Sequence, residues 1–149
     1  MNPLFLSAAR LCASQFQLND EQERAFFIVA NHMTNPYAMQ LKMYIGGPAG
    51  TGKSQVLKAL MSFLESQGRK HEFLILAPTG SAAALLNGST YHSALNINDY
   101  THDQNYNQLS EDVRYIFIDE ISMISGCELY RISERLALAL NTCDIPFGG

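Results

Sequence analysis

No apolar stretch among these 149 residues approaches the ~20 consecutive positions that a membrane-crossing helix needs, so the expectation is a soluble protein with no membrane partner. Targeting signals are equally sparse. Leu4-Phe5-Leu6 is short and has no basic residue before it, which argues against a secretory leader. The lack of any acidic residue before Asp20 leaves a transit peptide open, with Arg10 as its only support. Cysteine is scarce. Cys12, Cys127 and Cys143 are odd in number and contain no C-x-x-C, which excludes a disulfide framework and predicts reduced, buried thiols in an intracellular protein. His32, His71, His92 and His102 lack the spacing of zinc ligands. The net charge of −4 argues against a general polyanion-binding surface, while leaving room for a narrow local groove. Internal repeats and low-complexity tracts are absent too, and at 47% hydrophobic the chain has the size and content of one domain with a substantial core.

What is present is concentrated in one loop. Gly47-Pro48-Ala49-Gly50-Thr51-Gly52-Lys53-Ser54 is a complete G-x-x-x-x-G-K-[ST] pattern. Glycines let the backbone take positive φ angles and turn its N–H groups inward around phosphate oxygens. Lys53 adds a point charge for the outer phosphates, and the Ser54 hydroxyl suits Mg²⁺. The flanks agree with that reading. Leu41-Lys42-Met43-Tyr44-Ile45 predicts a mostly buried strand ending at Gly46-Gly47. From Lys53 onward Val56, Leu57, Leu60, Met61 and Leu64 form one helical stripe, with Gln67-Gly68 as its stop. Strand, loop and helix N-terminus in that order aim both the loop amides and the helix dipole at phosphates.

Two more β-rich runs follow. Glu72 to Ala77, one charge and then five apolar residues, predicts a central strand closed by Pro78-Thr79-Gly80, and a short helix over Ser81 to Leu86 ends at Asn87-Gly88. Val113 to Ile118 predicts a third strand, and it terminates in Asp119-Glu120. Taken alone, an acidic pair reads most simply as solvated turn charges. Together with the loop it supplies the second half of a nucleotide site: Asp119 as a metal ligand, through water, and Glu120 as the group that orients the attacking water. Helices are predicted over Asp20 to His32, capped by Asn19, and over Cys127 to Leu140. Asn96 to Ser110 is polar and predicts a loop, in which Tyr100 and Tyr106, like Tyr91 just before it, are either anchors or base-stacking groups. The order of elements implies an α/β fold with a largely parallel sheet flanked by helices. Neither D-x-x-G after the acidic pair nor N-K-x-D occurs, which favours adenine over guanine, and Glu120 beside Asp119 favours hydrolysis over phosphoryl transfer to a small molecule.

At this level of detail the chain resembles a known family. Leu18-Asn19-Asp20-Glu21-Gln22 resembles the adenine-sensing Q motif of superfamily 1 helicases, the loop at 47–54 their motif I, and Ala77-Pro78-Thr79-Gly80-Ser81-Ala82-Ala83 their motif Ia. Gly88-Ser89-Thr90-Tyr91-His92-Ser93 is similar to the G-x-T-x-H-S element that follows, and Asp119-Glu120-Ile121-Ser122-Met123-Ile124 to motif II. The ordered set resembles the PIF family of 5′-to-3′ DNA helicases, including relatives carried by Helitron-type transposons. The resemblance implies a RecA-like P-loop NTPase domain over 18–149, preceded by an extension or linker over 1–17. It implies ATP and Mg²⁺ as cofactors, single-stranded and forked duplex DNA as partners, a monomer, and work in DNA repair, recombination or telomere maintenance. The nucleus is the first expected location and the mitochondrion the second.

Residue by residue, Gln22 is implied to bond the adenine edge, with Gly47, Pro48, Ala49, Gly50, Thr51, Gly52, Lys53 and Ser54 around the phosphates. Ser54 and Asp119 hold the metal, and Lys53, Asp119 and Glu120 carry the chemistry. Thr79, Gly80, Thr90 and His92 lie along the DNA, touching phosphates rather than bases. Simpler structural roles stay open for two of these: His92 as a satisfied histidine near the sheet edge, and Gln22 as a helix-surface glutamine. The sequence given stops at Pro146-Phe147-Gly148-Gly149, where the family pattern continues into a G-D-x-x-Q-L-P-P motif. A γ-phosphate sensor, a second RecA-like domain and an arginine finger are therefore not expected within it, and Arg114, Arg131 and Arg135 sit on core-strand or helix patterns. On this reading the domain is C-terminally truncated and by itself binds nucleotide weakly, hydrolyses it slowly and does not unwind DNA. The alternative is a non-catalytic ATP- or DNA-binding remnant of a transposon-derived helicase. An unrelated P-loop kinase fits less well.

Overall fold

The computed structural model describes residues 3–48, 50–97 and 112–149, which gather into two compact units, one within residues 1–70 and one within 71–149. Ala49, Tyr100, Tyr106 and nearly all of the expected polar loop lie outside the described residues.

The first unit is helical. Helix α1 (Pro3–Gln15) occupies the expected extension, α2 spans Asp20–His32 as its periodicity predicts, and α3 spans Lys53–Ser66. Asn19 begins α2 with a reciprocal capping box, and Asp20, Glu21 and Glu23 place negative charge in its first turn, where the helix dipole favours it. Helix α3 buries Val56, Leu57, Leu60, Phe63 and Leu64. Phe63 meets Phe5 of α1 edge-to-face at 4.8 Å and Phe26 of α2 at 5.6 Å, so one aromatic ring ties the three helices together. The Cys12 thiol is buried beside α3 and donates to the Ala59 carbonyl at 3.3 Å; burial pushes its pKa up, against a smaller opposing contribution from Ser62.

The expected strand at residues 41–45 does not form. That segment has no regular secondary structure, and Met43 and Tyr44 are exposed. A strand exists only where neighbours complete its backbone hydrogen bonds, and among the described residues the first unit holds no other strand.

The second unit carries the sheet. Three parallel strands, β1 (Phe73–Ala77), β2 (Ser89–Thr90) and β3 (Tyr115–Ile118), lie in the order β2-β1-β3. Register pairs Leu76 with Ser89 and Ala77 with Thr90 on one side of β1, and Leu76 with Ile118 on the other. Central β1 is buried over Ile75, Leu76 and Ala77, whereas edge strand β3 is half-buried throughout. Helix α4 (Gly80–Leu85) links β1 to β2, and the short α5 (Tyr91–Ala94) follows β2 directly. Helix α6 (Gly126–Ala139) lays Ile132 and Leu136 against Leu76, Tyr91, Leu95 and Ile97 to close the core. Gly88 is glycine for want of room: a Cβ there would stand 2.7 Å from the Ile75 carbonyl oxygen. At the far end the chain folds back onto α6, with the Phe147 N–H donating to Ser133 Oγ at 2.9 Å.

The expectation of three buried thiols holds for Cys12 only. Cys127 and Cys143 are exposed, the first on the outer face of α6's opening turn and the second in the turn beyond that helix. Tyr91 is buried in the core, which removes it as a base-stacking group.

Candidate functional site

The loop at 47–54 is built by its own side chains and by one borrowed from α2. Thr51 Oγ1 donates to the Pro48 carbonyl at 2.8 Å, and the Lys53 ammonium donates to the carbonyls of Gly47 at 2.9 Å and Pro48 at 3.0 Å. Gly50 and Gly52 both sit at φ +80°, a left-handed conformation that favours glycine. Gly52 opens α3 with no side-chain cap, so the first N–H groups of that helix keep their capacity to bind an anion. A Cβ on Gly52 would stand 2.5 Å from Gln22 Nε2, and one on Gly47 2.8 Å from Thr51 Oγ1. Both glycines thus lie against side-chain ends that bond the loop, Gly52 being favoured as glycine by its left-handed φ, and the loop fits the closely approaching backbone of a phosphate cradle.

Gln22 occupies the position from which that contact is made. At the third position of α2 its Oε1 accepts from the Asn19 N–H at 3.0 Å, while its own N–H donates to Asn19 Oδ1 at 2.9 Å. Its Nε2 donates to the Thr51 carbonyl at 3.0 Å and more distantly to that of Gly52. Both ends of the amide are therefore engaged, one in capping α2 and the other in bracing the loop. Recognition of a base by this side chain has to compete with those bonds. Ser54 is half-buried on the first turn of α3.

The second unit gathers the remaining candidates on one edge of its sheet. Because β1, β2 and β3 are parallel and in the register given, Thr79, Thr90 and Asp119 all stand at the C-terminal ends of their strands, Thr90 as the last residue of β2 and the other two just beyond β1 and β3. Asp119 is locked there by its N–H, which donates to the Leu76 carbonyl at 2.9 Å. Glu120 follows at φ +51°, ψ +41°, exposed and left-handed, and its carbonyl accepts from the Met123 N–H to open a 3-10 turn over Ile121–Met123. A glutamate in that conformation costs on the order of 1 kcal/mol, strain of the kind that collects at functional turns.

Thr79 and Thr90 are both N-caps. Thr79 Oγ1 accepts from the Ala82 N–H at the start of α4, and Thr90 Oγ1 from the Ser93 N–H at the start of α5, each at 3.2 Å. Gly80 is exposed, with open space where a Cβ would be. His92 is exposed too, its ring 4.1 Å from that of Tyr91. The structure thus brings Thr79, Gly80, Thr90, His92, Asp119 and Glu120 to one sheet edge, and Gln22 to the loop at 47–54. Arg114, expected within a core strand, is exposed just before β3, and Arg131 is exposed on α6. Among the described residues, no helix is long and apolar enough to cross a membrane, and no group of three or more His, Cys, Asp or Glu is arranged to hold a metal ion.

Sequence reasoning missed one residue in this region. Glu128, at the third position of α6, accepts the Tyr91 hydroxyl on Oε1 at 2.6 Å, and on Oε2 the Ser125 N–H at 2.8 Å and hydroxyl at 2.7 Å. Those bonds, with the Tyr91 hydroxyl first, hold its carboxyl down to about 2; partial desolvation opposes them and His92 adds a small favourable charge effect. The Ser125-x-x-Glu128 spacing is a readable capping box. Its partner Tyr91, 37 positions away, is not readable from spacing.

With this geometry in view, the comparisons with known proteins are specific. The AAA domain family model matches residues 17–141. The chain is 33% identical to the ATP-dependent DNA helicase RRM3 of Saccharomyces cerevisiae across 151 aligned residues, covering 94% of this chain and 20% of that protein. It is 34% identical to the ATP-dependent DNA helicase PIF1 of Trypanosoma brucei brucei, covering 89% of this chain and 13% of that one. With the ATP-dependent DNA helicase Pif1 of Bdellovibrio bacteriovorus the identity is 37%, over 72% of this chain and 26% of the relative. The chain therefore spans about a quarter or less of the length of these relatives.

Proposed function

Since the chain is an AAA domain of the PIF1 family with a RecA-like fold, we propose that it is the ATP-hydrolysing part of a 5′-to-3′ DNA helicase. The observation that carries this reading is the shared sheet edge of the second unit, where Thr79 follows central β1, Thr90 closes β2 on one side of it and Asp119 follows β3 on the other. A strand end bearing an acid on the same sheet edge as two hydroxyl-bearing turns suits a protein in which hydrolysis and contact with a nucleic-acid backbone are linked.

ATP is the nucleotide this reading assigns to the loop. Its phosphates offer charged oxygens to the Lys53 ammonium, stronger acceptors than the Gly47 and Pro48 carbonyls that it meets in the structure. Pro48, Ala49, Gly50, Thr51 and Gly52 supply the turn, and Gln22 meets the adenine once its amide leaves Thr51. Ser54 and Asp119 carry the hard oxygen donors that suit Mg²⁺, which when bound neutralises charge developing on the phosphates. Glu120 accepts a proton from the water that attacks the γ-phosphorus as the bond to the bridging oxygen breaks, leaving ADP and phosphate. Thr79, Gly80, Thr90 and His92 follow the single strand. Forked duplex as substrate, a monomeric state, nuclear or mitochondrial location, and service in repair, recombination or telomere maintenance belong to this proposal as well.

The test is ATP hydrolysis with and without single-stranded DNA, alongside titration with a fluorescent ATP analogue. Lys53→Ala is expected to weaken nucleotide binding about tenfold or more. Glu120→Gln should leave binding in place and slow hydrolysis by about a hundredfold. Turnover that survives both changes removes the site assignment; binding of ATP and DNA without any turnover in the parent chain favours the non-catalytic alternative.

A further inference from the structure

Tyr91 is 2% exposed in the core of the second unit, yet it carries a hydroxyl, and a buried hydroxyl is tolerated only where it has a partner. Its partner is the Glu128 carboxylate at 2.6 Å, a short charge-assisted bond. The carboxylate is itself held from the other side by the N–H and hydroxyl of Ser125. A phenylalanine would fill the same space in the core, so packing does not account for the oxygen. What the bond joins is informative. On one side Tyr91 stands between Thr90 and His92 in the chain, with its ring against the imidazole. On the other, Ser125 and Glu128 begin α6 only a few residues after Asp119 and Glu120, with the 3-10 turn Ile121–Met123 and the core-packed Ile124 between them.

We propose that the Tyr91–Glu128 hydrogen bond fixes the turn bearing Thr90 and His92 against the start of α6, which makes Tyr91 a positioning residue for contact with single-stranded DNA. The inference rests on the assignment of Thr90 and His92 to the DNA path. Tyr91 touches no DNA itself. It acts because α5 is four residues long and is anchored on the α6 side through this side chain, so a shift of Tyr91 displaces both neighbours. The same bond ties that turn to the segment leaving the acidic pair.

Two titrations of the 149-residue chain test it: fluorescein-labelled oligothymidylate followed by anisotropy, and a fluorescent ATP analogue. Tyr91→Phe is expected to weaken DNA binding about fivefold while ATP affinity stays at the parent value. Glu128→Gln, which keeps an acceptor for the cap, should cost less in the Tyr91→Phe background than alone, because both changes act through one bond. Parent-like DNA binding by Tyr91→Phe overturns the proposal, as do two losses that simply add. An equal fall of both affinities marks general loss of structure and overturns it as well. His92→Ala, run in parallel, separates this failure from that of the underlying reading: if that change leaves DNA binding intact, or the parent binds no DNA, the DNA path itself is wrong.

Discussion

The loop at 47–54 and the sheet edge at Thr79, Thr90 and Asp119 hold their functional groups by opposite means. The loop depends on a few hydrogen bonds made by surface side chains: Thr51 to Pro48, Lys53 to Gly47 and Pro48, Gln22 to Thr51. The edge is inherited from register, since Asp119 and Thr90 stand where they do because β1 pairs with β3 and β2 above a buried layer of Leu76, Ile132 and Leu136. Side-chain bonds at the surface exchange partners at little cost, whereas a packed core does not deform by degrees. The difference suits a division of labour in which the loop adapts to a ligand and the edge keeps the acid and the two threonine-capped turns at fixed spacing.

The comparison breaks most directly at Leu76, fully buried at the centre of the edge's support. Leu76→Ala is expected to destabilise the chain by about 2–5 kcal/mol in denaturant unfolding, while Lys53→Ala changes stability by no more than about 0.5 kcal/mol. Similar costs for the two would erase the distinction. A smaller effect of opposite sign is expected at Glu120. Glu120→Gly relieves the left-handed strain, offset in part by glycine's extra freedom in the unfolded chain, for a net gain of up to about 0.5 kcal/mol, and it is expected to remove hydrolysis. An unfolding midpoint that drops on this change would show that the turn is not strained. The smallest stability effect belongs to Gln22→Glu, which keeps the capping acceptor but loses the donor to Thr51. Its stability should stay within about 0.5 kcal/mol of the parent, while the preference for ATP over GTP, read by paired titrations, falls about tenfold. An unchanged preference would leave Gln22 as a structural brace only.

Much of this arrangement was legible because the signals are local. The stripe of α3, the N-cap at Asn19 and the closing acids of β3 each lie within a few residues of what they determine. Residues 41–45 misled because apolar composition says that a segment wants burial, while a strand also needs a neighbour, which composition does not supply. The cysteines misled for a related reason: the average preference of the residue type for burial says nothing about which face of α6 position 127 occupies. Gln22 and Tyr91 were visible as members of motifs, but their bonds run across 29 and 37 positions to Thr51 and Glu128, and no periodicity encodes such a pair. Thr79 and Thr90 as helix caps were within reach, since a threonine just before a short helical run is a readable start signal.

The double engagement of the Gln22 amide also has a kinetic meaning. Freeing it needs only a rotation about side-chain bonds, an event of picoseconds to nanoseconds, far faster than the arrival of a nucleotide at ordinary concentrations. On the proposed reading of Gln22 as an adenine contact, its exchange between Thr51 and an incoming base is then a rapid pre-equilibrium that scales the apparent affinity by the fraction of time the amide is free. A lag or a slow phase in nucleotide binding would have to come from a larger rearrangement than this one side chain.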